Sequence, residues 1–192
     1  MGKGLPRTLA RRAARLALGT PSGSGNIASA EADLRVQRSK FTLVNQAIAL
    51  VDEAGVVAYG SQQLLEFPEG RILFLGATAN LTVEKSSAGV NDDFDGDFGL
   101  GTTAAGNNAT LATTEQNLIP TTATPQASSG ATTAKGGSTS TEGAKILQGE
   151  STPAEVHLNF LVDDADHDVT GTPANLVVNG TVEVLWAFLG DF

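Results

Sequence analysis

The chain has 192 residues and a mass of 19.6 kDa, room for one domain or at most two small ones. It has no cysteine, which excludes disulfides, thiolate metal sites and thiol catalysis. Hydrophobic residues at 41% and charged residues at 17% exclude both a disordered composition and a membrane span.

The net charge of −9 hides a division. Residues 1–40 carry eight basic residues against Glu31 and Asp33, a local charge of +6, so the rest of the chain stands at −15. A basic arm is joined to an acidic body.

Residues 1–18 are basic and acid-free. Leu16-Ala17-Leu18 is too short for the apolar core of a secretory signal, which needs about 7–15 residues. Arginine richness gives the segment some likeness to a transit peptide. Pro6 stands where a myristoylation pattern needs Ser or Thr. The sequons at Asn80, Asn108 and Asn179 matter only in a secretory pathway.

In chain order, residues 5–18 predict a short amphipathic helix. Pro6 suits its first turn. Lys3, Arg7, Arg11 and Arg15 form one basic stripe, with Arg12 beside it, and Leu5, Leu9, Ala13 and Leu16 gather on another face. Gly19 to Gly25 reads as a flexible linker, so residues 1–33 form an arm and residues 34–192 a single β-domain.

Within that domain, Phe41, Leu43, Ile48 and Leu50 mark a strand, followed by a turn at Asp52-Glu53-Ala54-Gly55. Val56 to Phe67 is a second strand, closed by Pro68-Glu69-Gly70. Ile72 to Leu75 is apolar on both parities, the pattern of a strand covered on both faces, with Gly76 as a break. Leu81 to Glu84 alternates as a half-buried strand.

Residues 86–153 are rich in Gly, Ala, Ser, Thr and Asn, and from Gly99 to Thr141 only Glu115 and Lys135 are charged. Threonine favours strands over helices, so this segment reads as surface strands and long ordered loops. From 154 onward the alternation is clear. Val156, Leu158, Phe160 and Val162 face one way, and His157, Asn159, Leu161 and Asp163 the other. Asn179-Gly180 is a hairpin dipeptide. Val182, Val184, Trp186 and Phe188 share a face of the last strand. Its other face changes from Thr181 and Glu183 to Leu185, Ala187 and Leu189, which predicts passage into a covered region. Short strands punctuated by turns indicate an all-β sandwich or barrel.

Candidate chemistry is sparse. Asn91-x-Asp93-x-Asp95-Gly96 matches the first half of a calcium loop, making Asp93, Asp95 and Asp97 metal candidates. The twelfth position, however, is Thr102 instead of Glu, and the flanks are not helical. Asp163 to Asp168 encloses His167, but His157 and His167 have no zinc-protease spacing. There is no nucleophile elbow and no Ser-x-x-Lys. A sugar-cleaving site normally brings aromatic platforms, and the chain has one Trp and one Tyr. Gly96 to Gly101 lacks the Lys-Ser/Thr ending and the helix of a phosphate loop. The expectation is a non-enzyme without a cofactor. The arm has no aromatics to stack on bases or to anchor in a bilayer, which leaves a protein surface, not nucleic acid or membrane, as its partner.

Several segments carry a resemblance. They are Glu66 to Leu73, Asp95 to Thr102, Thr114 to Pro120, Leu158 to Asp166, and Val178 through Phe192. Over roughly residues 40–192 the chain resembles tailed-bacteriophage virion proteins of the capsid decoration, or cement, type. The resemblance implies a jelly-roll-like β-sandwich that binds the outer surface of an icosahedral capsid. Its partners would be the major capsid protein and further copies of itself, as a homodimer or homotrimer. The arm residues (Lys3, Leu5, Arg7, Leu9, Arg11, Arg12, Arg15, Leu16) are the candidate docking segment, and Leu185, Ala187 and Leu189 a candidate oligomer or shell contact. The alternatives are a tail-spike, fibre or carbohydrate-binding β-module, and a hydrolase built on the acidic clusters.

Overall fold

The computed structural model describes residues 36–53, 57–149, 152–163, 168–171 and 173–190, with short backbone segments at 20–21 and 27–28. The expected helix at 5–18, the arm residues and His167 lie outside the described residues.

The described chain is all-β. In order, the strands are β1 (Thr20–Pro21), β2 (Ile27–Ala28), β3 (Gln37–Glu53), β4 (Val57–Glu66), β5 (Gly70–Lys85), β6 (Gly96–Gly101), β7 (Ile119–Thr124), β8 (Ala131–Gly137), β9 (Lys145–Gly149), β10 (Glu155–Asp163) and β11 (Ala174–Gly190). A 3-10 turn, Thr113–Glu115, precedes β7.

The strands follow the path β7-β6-β10-β4-β3-β11-β5-β8, every pair antiparallel, with β9 also on β5. β3 and β4 form a hairpin but pair only from Val51↔Tyr59 to Glu53↔Val57. Beyond that they diverge, β3 into the sheet with β11 and β5, β4 into the sheet with β10 and β6. β1 pairs with β4 at Glu66 and Leu65, and β2 pairs with β3 at Leu43 and Thr42. At the far side β7 and β8 lie side by side. The result is a barrel-like sandwich, which leaves few open sheet edges.

The core lies between the sheets. Phe41, Leu43, Ile48, Phe74, Val83, Phe98, Leu100, Phe160, Val184 and Trp186 are all buried there. Phe67 meets Trp186 edge to face at 5.1 Å, and the indole Nε1–H donates to Ser39 Oγ at 3.0 Å. Each fully buried large apolar side chain contributes about 1.5–3 kcal/mol. The aromatic core and the pinned indole therefore fix the register of β3 against β11.

Several expectations need correction. Asn179-Gly180 is no hairpin, because β11 runs through it. The extra residue lies on the partner strand: Val178 pairs with Gln46 and Gly180 with Leu43. The bulge is held by Asn45, at φ 50°, whose N–H donates to Asn179 Oδ1 at 2.7 Å. Gly180 is needed at φ +130°, where a Cβ would stand 2.2 Å from the Asn80 carbonyl oxygen. Gly76 does not break β5 either. The strand continues past it with a bulge, from Leu185↔Gly76 to Trp186↔Phe74. The Ile72–Leu75 run is covered on one face only, since Leu73 and Leu75 are half-buried.

β10 departs most from its sequence pattern. Its polar parity is buried as deeply as its apolar one: His157 is 9% exposed, Asn159 0% and Leu161 4%. The cover on that side is the loop 102–118. Leu111 packs with Leu161 and Val57 in a second small cluster, flanked by Tyr59 and Ala105. The segment rich in small residues forms strands β6 to β9 and this cover, so it is ordered surface structure as expected.

Candidate functional site

Asn159 organises the cover. Its Oδ1 accepts from Ser61 Oγ at 2.7 Å and from the Ala105 N–H at 3.0 Å. Its Nδ2 donates to the Thr103 carbonyl at 2.9 Å and the Glu115 carbonyl at 2.7 Å. All four capacities of a buried amide are thereby used. Glu115, 6% exposed, accepts the Gly106 N–H at 2.9 Å on one oxygen and the Ala112 N–H at 2.7 Å on the other. A loop with almost no large apolar residues is held by polar anchors instead. Its two signals in the sequence were a lone Glu in an uncharged stretch and an Asn inside a strand.

At one end of the sandwich the acidic residues converge. Asp97 pairs across the sheet with both Leu161 and Ala123, so the three share the outer face. There, Asp95, Asp97, Asp163, Val57, Thr124 and Gln126 help line a cavity of about 410 Å³. Partial burial pushes the Asp97 carboxyl up from its ordinary range, helped by the charges of Asp95 and Asp163.

Asp168 braces this end. It is 5% exposed, its Oδ2 accepts the Asp95 N–H at 2.8 Å, and its carbonyl accepts the Asn91 N–H at 2.8 Å. Burial raises its pKa. The bond from Asp95 opposes that shift, and the charges of Asp95, Asp93 and Asp163 add to it. The calcium-loop likeness thus resolves into a turn pinned by Asp168. Gly96 opens strand β6, so positions six to eleven of the would-be loop are extended strand. Among the described residues no group of three or more His, Asp or Glu side chains is placed to hold a metal ion. Asp93 is exposed, and Asp95 and Asp97 are half-buried. His157 Nε2 lies 2.8 Å from Glu155 Oε2, within hydrogen-bond distance.

The opposite end is apolar on its outer face. Leu73 pairs with Ile146 on one side and Ala187 on the other, which sets the three in one cross-strand row. Ile146 is 45% exposed, Leu185 38%, Leu189 42% and Phe188 37%. This corrects the expected passage of the last strand into a covered region: within the chain, Leu185 and Leu189 face outward. Phe188 keeps the face of Trp186 and pairs with buried Ile72, but near the end of the strand it is only partly covered; the bulge at Leu189 follows it, before Gly190↔Arg71. Arg38, opposite Leu185, borders the row and holds Glu183 through two bonds, at 2.6 and 3.0 Å. These bonds keep the Glu183 carboxyl below its ordinary range.

No protein-family profile and no curated protein matches the chain. One solved structure similar to it is the enzymatically active domain of tailspike protein 4 of bacteriophage CBA120. It is 11% identical, with a TM-score of 0.29, over 88% of this chain and 20% of that one. The chain therefore spans about a fifth of that structure's length. A likeness this distant carries no argument about fold or activity.

Proposed function

We propose that this chain is a non-catalytic structural virion protein, of the capsid-decoration kind that its sequence resembles. Its jelly-roll-like body seats its apolar end on the outer surface of an icosahedral phage capsid and bridges neighbouring capsid subunits. The observation that carries this reading is the outward-facing apolar surface of Ile146, Leu185 and Leu189 at one end of the sandwich, about the cross-strand row of Leu73, Ile146 and Ala187. Contiguous apolar surface of that kind is a contact site in search of a partner. The rim charges, Arg38, Lys40 and Glu183, supply orientation more than affinity. The basic arm adds a second attachment whose binding, once the body is docked, is almost intramolecular.

The test is co-sedimentation of the full chain with coat-protein shells. Leu185→Ser with Leu189→Ser should leave the melting temperature nearly unchanged and reduce attachment by tenfold or more, about 1.4 kcal/mol. Deleting residues 1–25 should weaken attachment and make it less tolerant of salt. Specific glycan binding with no affinity for shells would instead support a fibre or carbohydrate-binding module.

A further inference from the structure

Strand β9 is paired on one side only. Its partner is β5, from Gly70↔Gly149 to Phe74↔Lys145, and among the described residues no strand lies along its other edge. In an antiparallel strand every second residue turns its N–H and C=O away from the partner. Among the described residues, no further main-chain bond satisfies those groups in Lys145–Gly149. An unpaired edge of this kind is a template for another extended chain.

The unpaired edge borders a groove. Two cavities lie against β9, one of about 430 Å³ lined by Ile146, Leu147 and Gln148, the other of about 300 Å³ lined by Lys145. Neither is lined by a described residue of β5, so both lie beyond the unpaired edge. Across the first stand Thr102 and the loop from Thr152 to Glu155, and across the second Gln116 and Asn117. Lys145 Nζ donates to the Asn117 carbonyl and joins the two walls at one end. At the other end the Phe67 N–H donates to the Ala154 carbonyl at 2.8 Å and fixes the loop. The far wall hinders a folded domain from bringing up its own sheet edge, and leaves room for a single extended segment.

The groove also has a chemical preference. Leu147, Pro153 and Ala154 supply apolar wall. Glu155 and Glu142 supply one carboxylate to each cavity, against the one ammonium of Lys145 among the lining residues. His157 Nε2 lies 2.8 Å from Glu155, and the Thr139 N–H donates to Glu142 at 3.2 Å, so both carboxylates are held in place.

We propose that β9 takes up an extended, basic segment of a partner protein as an added strand. Main-chain bonds to the β9 edge supply the affinity, and the side chains that alternate along the segment supply the specificity. An apolar side chain meets Leu147, Pro153 and Ala154, and Lys or Arg meets Glu155 and Glu142. The proposal goes beyond the capsid reading and does not depend on it.

The test titrates the full-length chain with the peptide Thr-Lys-Val-Thr-Val-Lys-Thr, blocked at both ends, which carries its valines on one face and its lysines on the other. The amide resonances of Lys145–Gly149 should shift with a Kd of about 1 mM or tighter. Those of Ala131–Gly137 in β8, which also pairs with β5, should stay in place. The same peptide is then N-methylated at alternate residues, in each of the two possible frames. Both forms keep every side chain and charge, but in one frame the methyl groups face β9 and break the ladder. That frame should bind at least tenfold more weakly, and the other nearly as well as the parent peptide. Glu142→Gln with Glu155→Gln, at two half-buried positions, should weaken binding several-fold and remove most of its salt dependence, with the melting temperature confirming an intact fold. If that variant fails to fold, the two methylated peptides decide alone. Equal affinity of the two frames, shifts centred away from β9, a folded variant that binds like the parent chain, or no binding at several millimolar would overturn the proposal.

Discussion

Replacing Asn159 tests whether polar anchoring, rather than apolar burial, orders the 102–118 cover. Asn159→Ala removes four hydrogen bonds at a site with no solvent exposure. Ser61 Oγ still accepts the Ala105 N–H at 2.7 Å, so that amide keeps a partner. The Thr103 and Glu115 carbonyls lose the amide donor. At a net of about 1 kcal/mol per bond, with part of the desolvation of two carbonyls added, the loss should reach about 3–4 kcal/mol. A domain of this size has only about 5–15 kcal/mol in total. Asn159→Asp keeps the shape but turns an oxygen toward both carbonyls, and should cost at least as much. The single Trp, fully buried, reports global unfolding in denaturant by its emission. Amide exchange at Ala105, Gly106 and Ala112 reports the cover itself. The reasoning fails if Asn159→Asp stays within about 1 kcal/mol of the parent chain, or if exchange in the cover is unchanged.

Other outcomes follow from single contacts. Gly180→Ala puts a Cβ 2.2 Å from the Asn80 carbonyl at φ +130°, and should cost about 3 kcal/mol or more. Gly171→Ala, with nothing within 4 Å of its Cβ, should stay within about 0.5 kcal/mol; equal melting temperatures for the two would contradict the bulge argument. Asp97→Asn should stabilise the chain at pH 7 by less than about 1 kcal/mol, after discounting for solvent screening. Because the fold raises the Asp97 pKa from 3.8, the native state binds that proton more readily than the unfolded chain. The penalty is absent well below pH 3.8 and grows as pH rises through the folded value. A melting-temperature difference that stays constant with pH would exclude this origin.

Much of the fold was legible in the chain. The alternation of Val156 to Val162 and of Val182 to Trp186 located strands that the structure contains, with Val182, Val184 and Trp186 on a buried face. The failures have local physical causes. Asn179-Gly180 carries a turn's chemistry, yet Asn45 on the neighbouring strand supplies the extra residue that turns it into a bulge. No local pattern reports a partner strand more than a hundred positions away. Parity put Phe188 on the face of Trp186, and it does pair with buried Ile72, but parity does not show that the core ends there and leaves Phe188 37% exposed. The sequence also placed Asp93, Asp95 and Asp97 together by their spacing. Asp163 joins Asp95 and Asp97 through β10, and Asp168 braces them through the Val90↔Val169 bridge, both long-range pairings that spacing does not show. Glu115 and Asn159 show a more general limit. A loop ordered by hydrogen bonds has the composition of a disordered one, and only the partners distinguish them.

The most direct test of the account is an electron cryomicroscopy map of virus particles from the source that encodes this chain. The account predicts copies arrayed with icosahedral symmetry on the outer surface of the capsid, with Leu185, Ala187 and Leu189 covered by coat protein. Particles without the chain, or copies bound with that end open to solvent, would contradict it.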